Sequence, residues 1–121
     1  MMNKPTVVIG ASSNPERYSY KATVKLKNNG HSVYPLGIKE GAINESIILT
    51  DKPKLADIHT VTLYVGPKNQ PDWFEYIYSL KPKRIIFNPG TENADFLKKT
   101  KSKGIECIEA CTLVMLGIGN Y

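Results

Sequence analysis

The fold is set by the stretch Thr6-Val7-Val8-Ile9-Gly10-Ala11-Ser12-Ser13-Asn14-Pro15-Glu16-Arg17. Residues typical of a buried strand run into a glycine and small polar residues, and a helix-type segment follows. A strand that ends at glycine lets the backbone approach a ligand, and the next helix offers free N–H groups and its positive dipole end. The stretch therefore predicts an anion-binding turn, to which Ser12, Ser13 and Asn14 add polar donors and Arg17 adds a cation that suits phosphate.

The purely structural interpretation of this turn is an ordinary βα connection in which Arg17 is exposed to solvent. Under the ligand-binding interpretation, a side chain placed at Gly10 is expected to occupy the space where the ligand approaches. The turn lacks the full GxGxxG spacing of a dinucleotide fingerprint.

Strand-length apolar runs alternate with helix-length amphipathic segments along the whole chain. This alternation predicts a doubly wound α/β sandwich of three layers around a parallel sheet of about five strands. The predicted strands are Thr6–Ile9, His31–Leu36, Thr60–Val65, Arg84–Phe87 and Ile105–Ile108, with a further short strand near Ile47–Leu49. Four helices are predicted. The first ends at Asn29-Gly30, the second runs from Asn69 or Gln70 to Leu80, and the last two cover Glu92–Lys103 and Ala110–Leu116.

Size and composition predict one compact domain over residues 1–121, because the chain has 121 residues of which 41% are hydrophobic. The net charge of +5 favours acidic partners such as phosphorylated small molecules. Nucleic acid is not favoured, because the basic residues are scattered and few aromatics lie among them. No basic leader or long apolar stretch is present, so we expect a soluble cytoplasmic protein that does not contact a membrane.

Four glycine-containing turns follow the predicted strands. Because the carboxyl ends of parallel strands meet at one edge of the sheet, these turns predict a ligand site there. They are Gly10–Asn14, Pro35–Lys39, Gly66–Lys68 and Asn88–Thr91. The last also fits a plain βα turn in which Thr91 caps the next helix.

The end of the second strand lacks the carboxylate that a nicotinamide cofactor usually needs for its adenosine ribose. Tyr34, Pro35 and Leu36 occupy that place, and Glu40 comes only later. A cation at Lys39 would attract a phosphate carried on the ribose, which favours CoA or NADP over NAD. The alternative for Lys39 is a free surface lysine.

No catalytic or metal-binding constellation is recognisable. His31 begins a predicted strand and His59 precedes one, so both are expected at the edge away from the predicted ligand, and no GxSxG serine motif is present. Cys107 and Cys111 have no histidine partner in zinc-site spacing. Cys111 is interpreted as a structural cysteine, with a thiol near the ligand edge as the alternative.

Three segments together resemble the small stand-alone CoA-binding proteins, which are similar to the CoA-binding domain of the succinyl-CoA synthetase α subunit. They are Val8-Ile9-Gly10-Ala11-Ser12-Ser13-Asn14-Pro15-Glu16-Arg17-Tyr18-Ser19-Tyr20, Val33-Tyr34-Pro35 and Asn88-Pro89-Gly90-Thr91-Glu92-Asn93. The resemblance implies a Rossmann-like fold with CoA or an acyl-CoA over the strand ends.

The resemblance also implies a position for each part of the ligand. The Gly10–Asn14 turn would face the phosphates, with Arg17 and Tyr18 in the same ligand-binding segment. Pro35 and Lys39 would lie near the adenosine. Val65, Gly66 and Pro67 would line the middle of the cleft. Its other side would be closed by Asn88, Pro89 and Gly90.

The resulting prediction is a CoA or acyl-CoA binding protein, with a non-enzymatic role favoured over catalysis. Two alternatives stay open: an NADP-linked oxidoreductase-type domain, and a protein or RNA interaction module with a vestigial cleft. A homodimer or a partner enzyme is compatible with either.

Overall fold

A computed structural model describes residues 2–121 of the chain. This part contains seven strands and four α-helices. The strands are β1 (Thr6–Ile9), β2 (Val33–Leu36), β3 (Ala42–Ile43), β4 (Ser46–Ile47), β5 (Thr60–Leu63), β6 (Arg84–Phe87) and β7 (Glu106–Glu109). The helices are α1 (Tyr18–Asn28), α2 (Pro71–Leu80), α3 (Ala94–Ser102) and α4 (Thr112–Ile118).

Five of the strands form one parallel sheet in the order β2-β1-β5-β6-β7. The three central strands β1, β5 and β6 are wholly buried, as expected for parallel strands covered on both faces. The predicted α/β class, the parallel sheet of five strands and the Rossmann-like fold are confirmed.

Alternate residues of the central strands pack into two apolar layers, one on each face of the sheet, because successive side chains of a strand point to opposite faces. One layer combines residues of the sheet with α2 and α3, and it includes Val7, Ile9, Val61, Leu63, Ile85, Phe87, Trp73, Ile77 and Phe96. The other is smaller and joins Val8 of β1 to Leu26 of α1 and Leu116 of α4. Helices therefore cover both faces of the sheet, which makes the three predicted layers.

The segment between β2 and β5 differs from the prediction of a single short strand. Residues 42–47 form a two-stranded antiparallel hairpin whose turn contains Asn44 with φ +53°. Asparagine tolerates this left-handed conformation better than most residues do. The chain then forms a parallel bridge from Leu49 to Leu36. The local pattern was too weak to show the hairpin, since each of its strands has only two residues.

The start of α3 also differs from the prediction. Asn93 is its N-cap, and its Oδ1 accepts a hydrogen bond of 3.1 Å from the Phe96 N–H. The Thr91 hydroxyl instead donates to the Asn88 carbonyl oxygen. The interpretation of Thr91 as the cap of this helix was therefore wrong. Both residues are good N-caps in general, and only the folded turn distinguishes them.

The strand order reverses between β1 and β5, where the chain first adds β2 on one side of β1 and later β5 on the other. Ligands of doubly wound folds bind outside the carboxyl ends of the strands at such a switch point. No helix within residues 2–121 combines the length and apolar character needed to cross a bilayer.

Candidate functional site

An open cleft of about 790 Å³ lies over the carboxyl ends of β1, β2, β5 and β6, at the switch point of the sheet. Its volume is in the range of small-molecule and cofactor sites. All four predicted turns contribute to its wall. The predicted residues that line it are Gly10, Ala11, Ser12, Ser13, Arg17, Tyr18, Lys39, Val65, Gly66, Pro89 and Gly90.

Gly10 is required by the fold itself. Its φ is +95°, and an added Cβ would lie 2.9 Å from the Tyr64 carbonyl oxygen and 3.1 Å from Val65 Cγ2. This Cβ would point at the end of β5, and the expectation that a side chain here would occupy ligand space stays a prediction, because Tyr64 and Val65 both line the cleft. Glycine therefore lets the turn after β1 pack directly on the neighbouring strand end.

The hairpin region packs against the same turn through two further glycines. An added Cβ at Gly37 would lie 2.6 Å from the Ala11 carbonyl oxygen, and one at Gly41 would lie 3.1 Å from Ser13 Cβ. Real Cβ atoms essentially never show the first distance, and the second is tighter than nine in ten real Cβ contacts. Glycine at these positions thus lets the segment after β2 pack closely on the turn after β1.

Some of the turn's amides are used by the protein. The N–H groups of Gly10 and Ala11 both donate to the Leu36 carbonyl oxygen, at 3.0 and 2.8 Å. In residues 2–121 we find no protein acceptor for the N–H groups of Ser12 and Ser13 or for those of the first three residues of α1, 18–20. Such amides suit an anion, and the first turn of α1 has no acidic residue. The donor set is therefore narrower than the sequence suggested, and it starts at Ser12.

Four predicted contact residues do not line the cleft. Asn14 shapes the turn, since its Oδ1 accepts a hydrogen bond from the Glu16 N–H at 3.0 Å. Pro35 is buried within β2, and Pro67 begins a short 3-10 turn before α2. Asn88 is buried with its amide fully engaged: its Nδ2 donates to Thr62 Oγ1 and the Leu63 carbonyl oxygen, and its Oδ1 accepts from the Thr112 N–H. These residues hold the rim in place.

Gln70 is a supporting residue that the sequence analysis did not identify. It is fully buried, and its Nε2 donates to the Val65 carbonyl oxygen at 2.9 Å and to the Thr91 carbonyl oxygen at 2.7 Å. Its Oε1 accepts from Asn93 Nδ2 at 2.9 Å. Gln70 thus ties the turn after β5 to the turn after β6. A polar residue beside the start of a helix gives no sequence signal for this role.

The charges in the cleft are mixed. Arg17 and Lys39 supply positive charge, while Glu40 and Asp72 bring carboxylates to the lining that were not predicted. Trp73 also lines the cleft although it is only 5% exposed and packs in the core. Lys52 Nζ lies over its ring, 4.7 Å from the centroid, which is a cation–π distance. The tryptophan is therefore in contact with both the core and this lysine.

No nucleophile activated by a base is found along the cleft in the described part of the chain. Cys111 is the N-cap of α4 and does not line the cleft. Burial raises the pKa of the Tyr64 phenol above its usual value of 10, which keeps that group protonated. Across residues 2–121, no group of three or more His, Cys, Asp or Glu side chains could hold a metal ion.

Both histidines lie at the amino ends of the strands, opposite the cleft. His31 precedes β2 and is buried, and the His59 side chain contacts Thr60 at the start of β5. Burial, followed by the positive charges of Lys4 and Arg84, holds the pKa of each imidazole below 6.5.

These lowered pKa values predict a loss of stability in acid. Between the folded-state pKa and 6.5, the unfolded chain binds protons that the folded chain does not, so unfolding becomes easier as the pH falls through this window. Urea unfolding in a phosphate-free buffer should give its full free energy above pH 6.5 and less at pH 5.5. The His31→Gln/His59→Gln double variant should have a flatter profile there. A wild-type stability that rises on acidification from pH 7 would contradict this assignment.

The fold and the cleft can be compared with known proteins. The family described as CoA binding domain matches residues 4–117. One solved structure, described as an uncharacterized protein, is 43% identical with a TM-score of 0.97, and the match covers 100% of both chains. A hypothetical protein from Pyrococcus horikoshii OT3 is 26% identical with a TM-score of 0.80, over 93% of this chain and 80% of that one.

A third structure, from Thermus thermophilus, has a TM-score of 0.82 at 19% identity and covers 98% of this chain and 91% of its own. At that identity the likeness shows the fold alone. No curated protein matches the chain. The family match extends over nearly all of the sequence and includes each of the four turns that form the cleft, so this chain belongs to the CoA binding domain family.

Proposed function

We propose that the protein binds CoA or an acyl-CoA in the cleft at the switch point and does not itself transform the ligand. The observation that carries this proposal is the set of amides without a protein acceptor at Ser12, Ser13 and residues 18–20, beside Arg17 in an open cleft. A pyrophosphate is the part of CoA that such amides suit. Family membership supports CoA as the ligand.

The rest of the cleft suits the other parts of CoA. Lys39 lies on the wall contributed by the turn after β2, where a ribose phosphate would gain a cationic partner. The opposite wall, with Val65 and Pro89, offers apolar surface to the pantetheine chain. The same lysine keeps NADP as the second candidate, because NADP also carries a phosphate on its adenosine ribose.

Titration calorimetry with CoA, dephospho-CoA and NADPH tests the proposal. We expect saturable binding of CoA, weaker binding of dephospho-CoA because it lacks the ribose phosphate, and the weakest binding of NADPH. At a hundredfold excess over Kd, CoA should stabilise the fold by about 2.7 kcal/mol. No heat and no thermal shift at millimolar CoA would overturn the proposal, and preference for NADPH would favour the reductase alternative.

The Arg17→Ala variant tests the charged contact. We expect it to weaken CoA binding by roughly 1 to 3 kcal/mol, since a hydrogen bond to a charged group is lost. Lys98→Ala, an exposed cation on α3 away from the cleft, is the control and should bind normally. Equal affinity for both variants would mean that the backbone amides hold the phosphates without Arg17.

The biological setting belongs to the same proposal. The cysteines Cys107 and Cys111 are both free thiols, which is the usual state in the reducing cytoplasm. We propose a cytoplasmic CoA-binding protein, with a second copy or a separate enzyme as the protein that receives the ligand. A salt-sensitive gel shift with RNA would instead support the interaction-module alternative.

A further inference from the structure

The amino ends of the strands hold a cationic group of side chains that the proposed CoA site does not use. Lys4, His31, His59, Lys83 and Arg84 come together there, and we call them the amino-edge cluster. Main-chain bonds fix their positions: His59 N–H donates to the Pro5 carbonyl oxygen, and the N–H groups of Lys83 and Arg84 donate to the His59 carbonyl oxygen. The cluster lies at the edge opposite the cleft.

Arg84 is buried, as is His31. Arg84 is only 6% exposed, and its Nε donates to Thr60 Oγ1 at 2.7 Å. Its Nη2 is buried and has no hydrogen-bond partner in residues 2–121. A buried donor without an acceptor destabilises the fold, and a charged donor does so more strongly. This guanidinium therefore lacks an acceptor that an anion would supply.

Lys4 and His31 lie close to Arg84 around the ring of Tyr121, and Lys4 Nζ uses one of its three hydrogens to donate to the Tyr121 main-chain oxygen. From the centroid of that ring, Arg84 Cζ is 4.4 Å away, the His31 ring centroid 5.0 Å and Lys4 Nζ 5.9 Å. His59 meets Arg84 at the same hydroxyl, since its Nδ1 lies 2.7 Å from Thr60 Oγ1. Glu106 is the acidic group whose charge acts on His59, and it is exposed. Three permanent cations, Lys4, Lys83 and Arg84, and the one carboxylate of Glu106 therefore act on His59.

The hydrogen bonds fix the tautomer of one histidine. The Lys4 N–H donates to His31 Nδ1 at 2.9 Å, so the neutral imidazole carries its proton on Nε2. The contact of His59 Nδ1 with Thr60 Oγ1 fits either tautomer, because a hydroxyl can donate or accept. Arg84 Nη2, Lys4 Nζ and His31 Nε2 are therefore donors that suit an anionic ligand.

We infer that the amino-edge cluster binds an oxyanion of the phosphate class, with Arg84 Nη2, Lys4 and the two imidazoles as donors. A tetrahedral oxyanion has enough acceptor positions for several N–H donors. Its charge would offset the mutual repulsion of Lys4, Lys83 and Arg84. The inference is independent of CoA binding, because the two sites lie at opposite edges of the sheet.

The histidines provide a direct test, because His31 and His59 are the only two in the chain. NMR of imidazole-labelled protein should resolve two signals, both from the cluster. Titration with inorganic phosphate at constant ionic strength should shift both signals saturably and raise both pKa values, since an anion favours the protonated ring. Glycerol phosphate is the second probe, and tighter binding of it would identify a phosphate monoester as the natural source.

Two variants and two controls sharpen the test. Arg84→Met should abolish the saturable shift, and Lys4→Met should weaken phosphate binding several-fold if Arg84→Met does not fold. Lys98→Met should behave as wild type, and CoA bound in the cleft should leave both imidazoles unchanged. The inference is wrong if phosphate shifts the signals no more than chloride does, or if Lys4→Met binds phosphate as well as wild type. The Tyr121 ring alone would then be what compensates Arg84.

Discussion

Gly10→Ala is expected to lower the free energy of unfolding by about 3 kcal/mol and to remove measurable CoA binding. Two costs add at this position. A non-glycine residue at φ +95° is strained, and its Cβ would lie 2.9 Å from the Tyr64 carbonyl oxygen. Relief requires the turn after β1 to move away from the end of β5, which displaces the Ser12 and Ser13 amides proposed to hold the phosphates.

Urea unfolding and CoA titration measure the two effects. Gly30→Ala is the matched control, since Gly30 has φ +86° but nothing within 4 Å of an added Cβ. It should lose only the backbone contribution, about 1 kcal/mol, and should bind CoA normally. If Gly10→Ala is no less stable than Gly30→Ala, the contact with Tyr64 is not what fixes the turn.

Gln70→Leu is expected to cost about 3 kcal/mol of unfolding free energy, because several buried polar groups lose their partner at once. The carbonyl oxygens of Val65 and Thr91 would lose their donor, and Asn93 Nδ2 would lose its acceptor. The turns after β5 and β6 would no longer be tied together, so CoA affinity should fall as well.

Denaturant unfolding of two neighbouring variants separates this network from a general effect of leucine. Asn69→Leu changes the preceding, exposed residue and should stay within about 0.5 kcal/mol of wild type. Gln70→Glu keeps the acceptor for Asn93 but loses both donated bonds, so it should also be strongly destabilised. A Gln70→Leu protein as stable as Asn69→Leu would show that the network contributes little.

The sheet could be predicted from the sequence because its strands are short apolar runs separated by glycine and proline. β1 and β6 were predicted with their observed bounds. The other strands of the sheet and the helix ends shifted by one or two residues: β2 begins at Val33, β5 ends at Leu63 and α4 begins at Thr112. Strand ends depend on pairing with neighbours, which a single sequence does not display.

The site was predicted at the level of turns better than at the level of side chains. A turn that ends a parallel strand must lie at the carboxyl edge, so its position follows from topology. Whether a side chain then faces the ligand or the core depends on bonds made across the fold. Asn88 looked like a ligand residue, yet its amide bonds to Thr62, Leu63 and Thr112. Gln70 looked like an unremarkable helix start for the same reason.

The close contacts at Gly37 and Gly41 affect how a ligand would be bound. Because Ala11 and Ser13 pack directly on the neighbouring segment, the wall that would receive a nucleotide is positioned by packing within the protein itself. The entropy of fixing such a wall is lost when the chain folds and does not weaken the later encounter with a ligand. Recognition at this wall is therefore expected to be rigid, with selectivity that comes from its preformed shape.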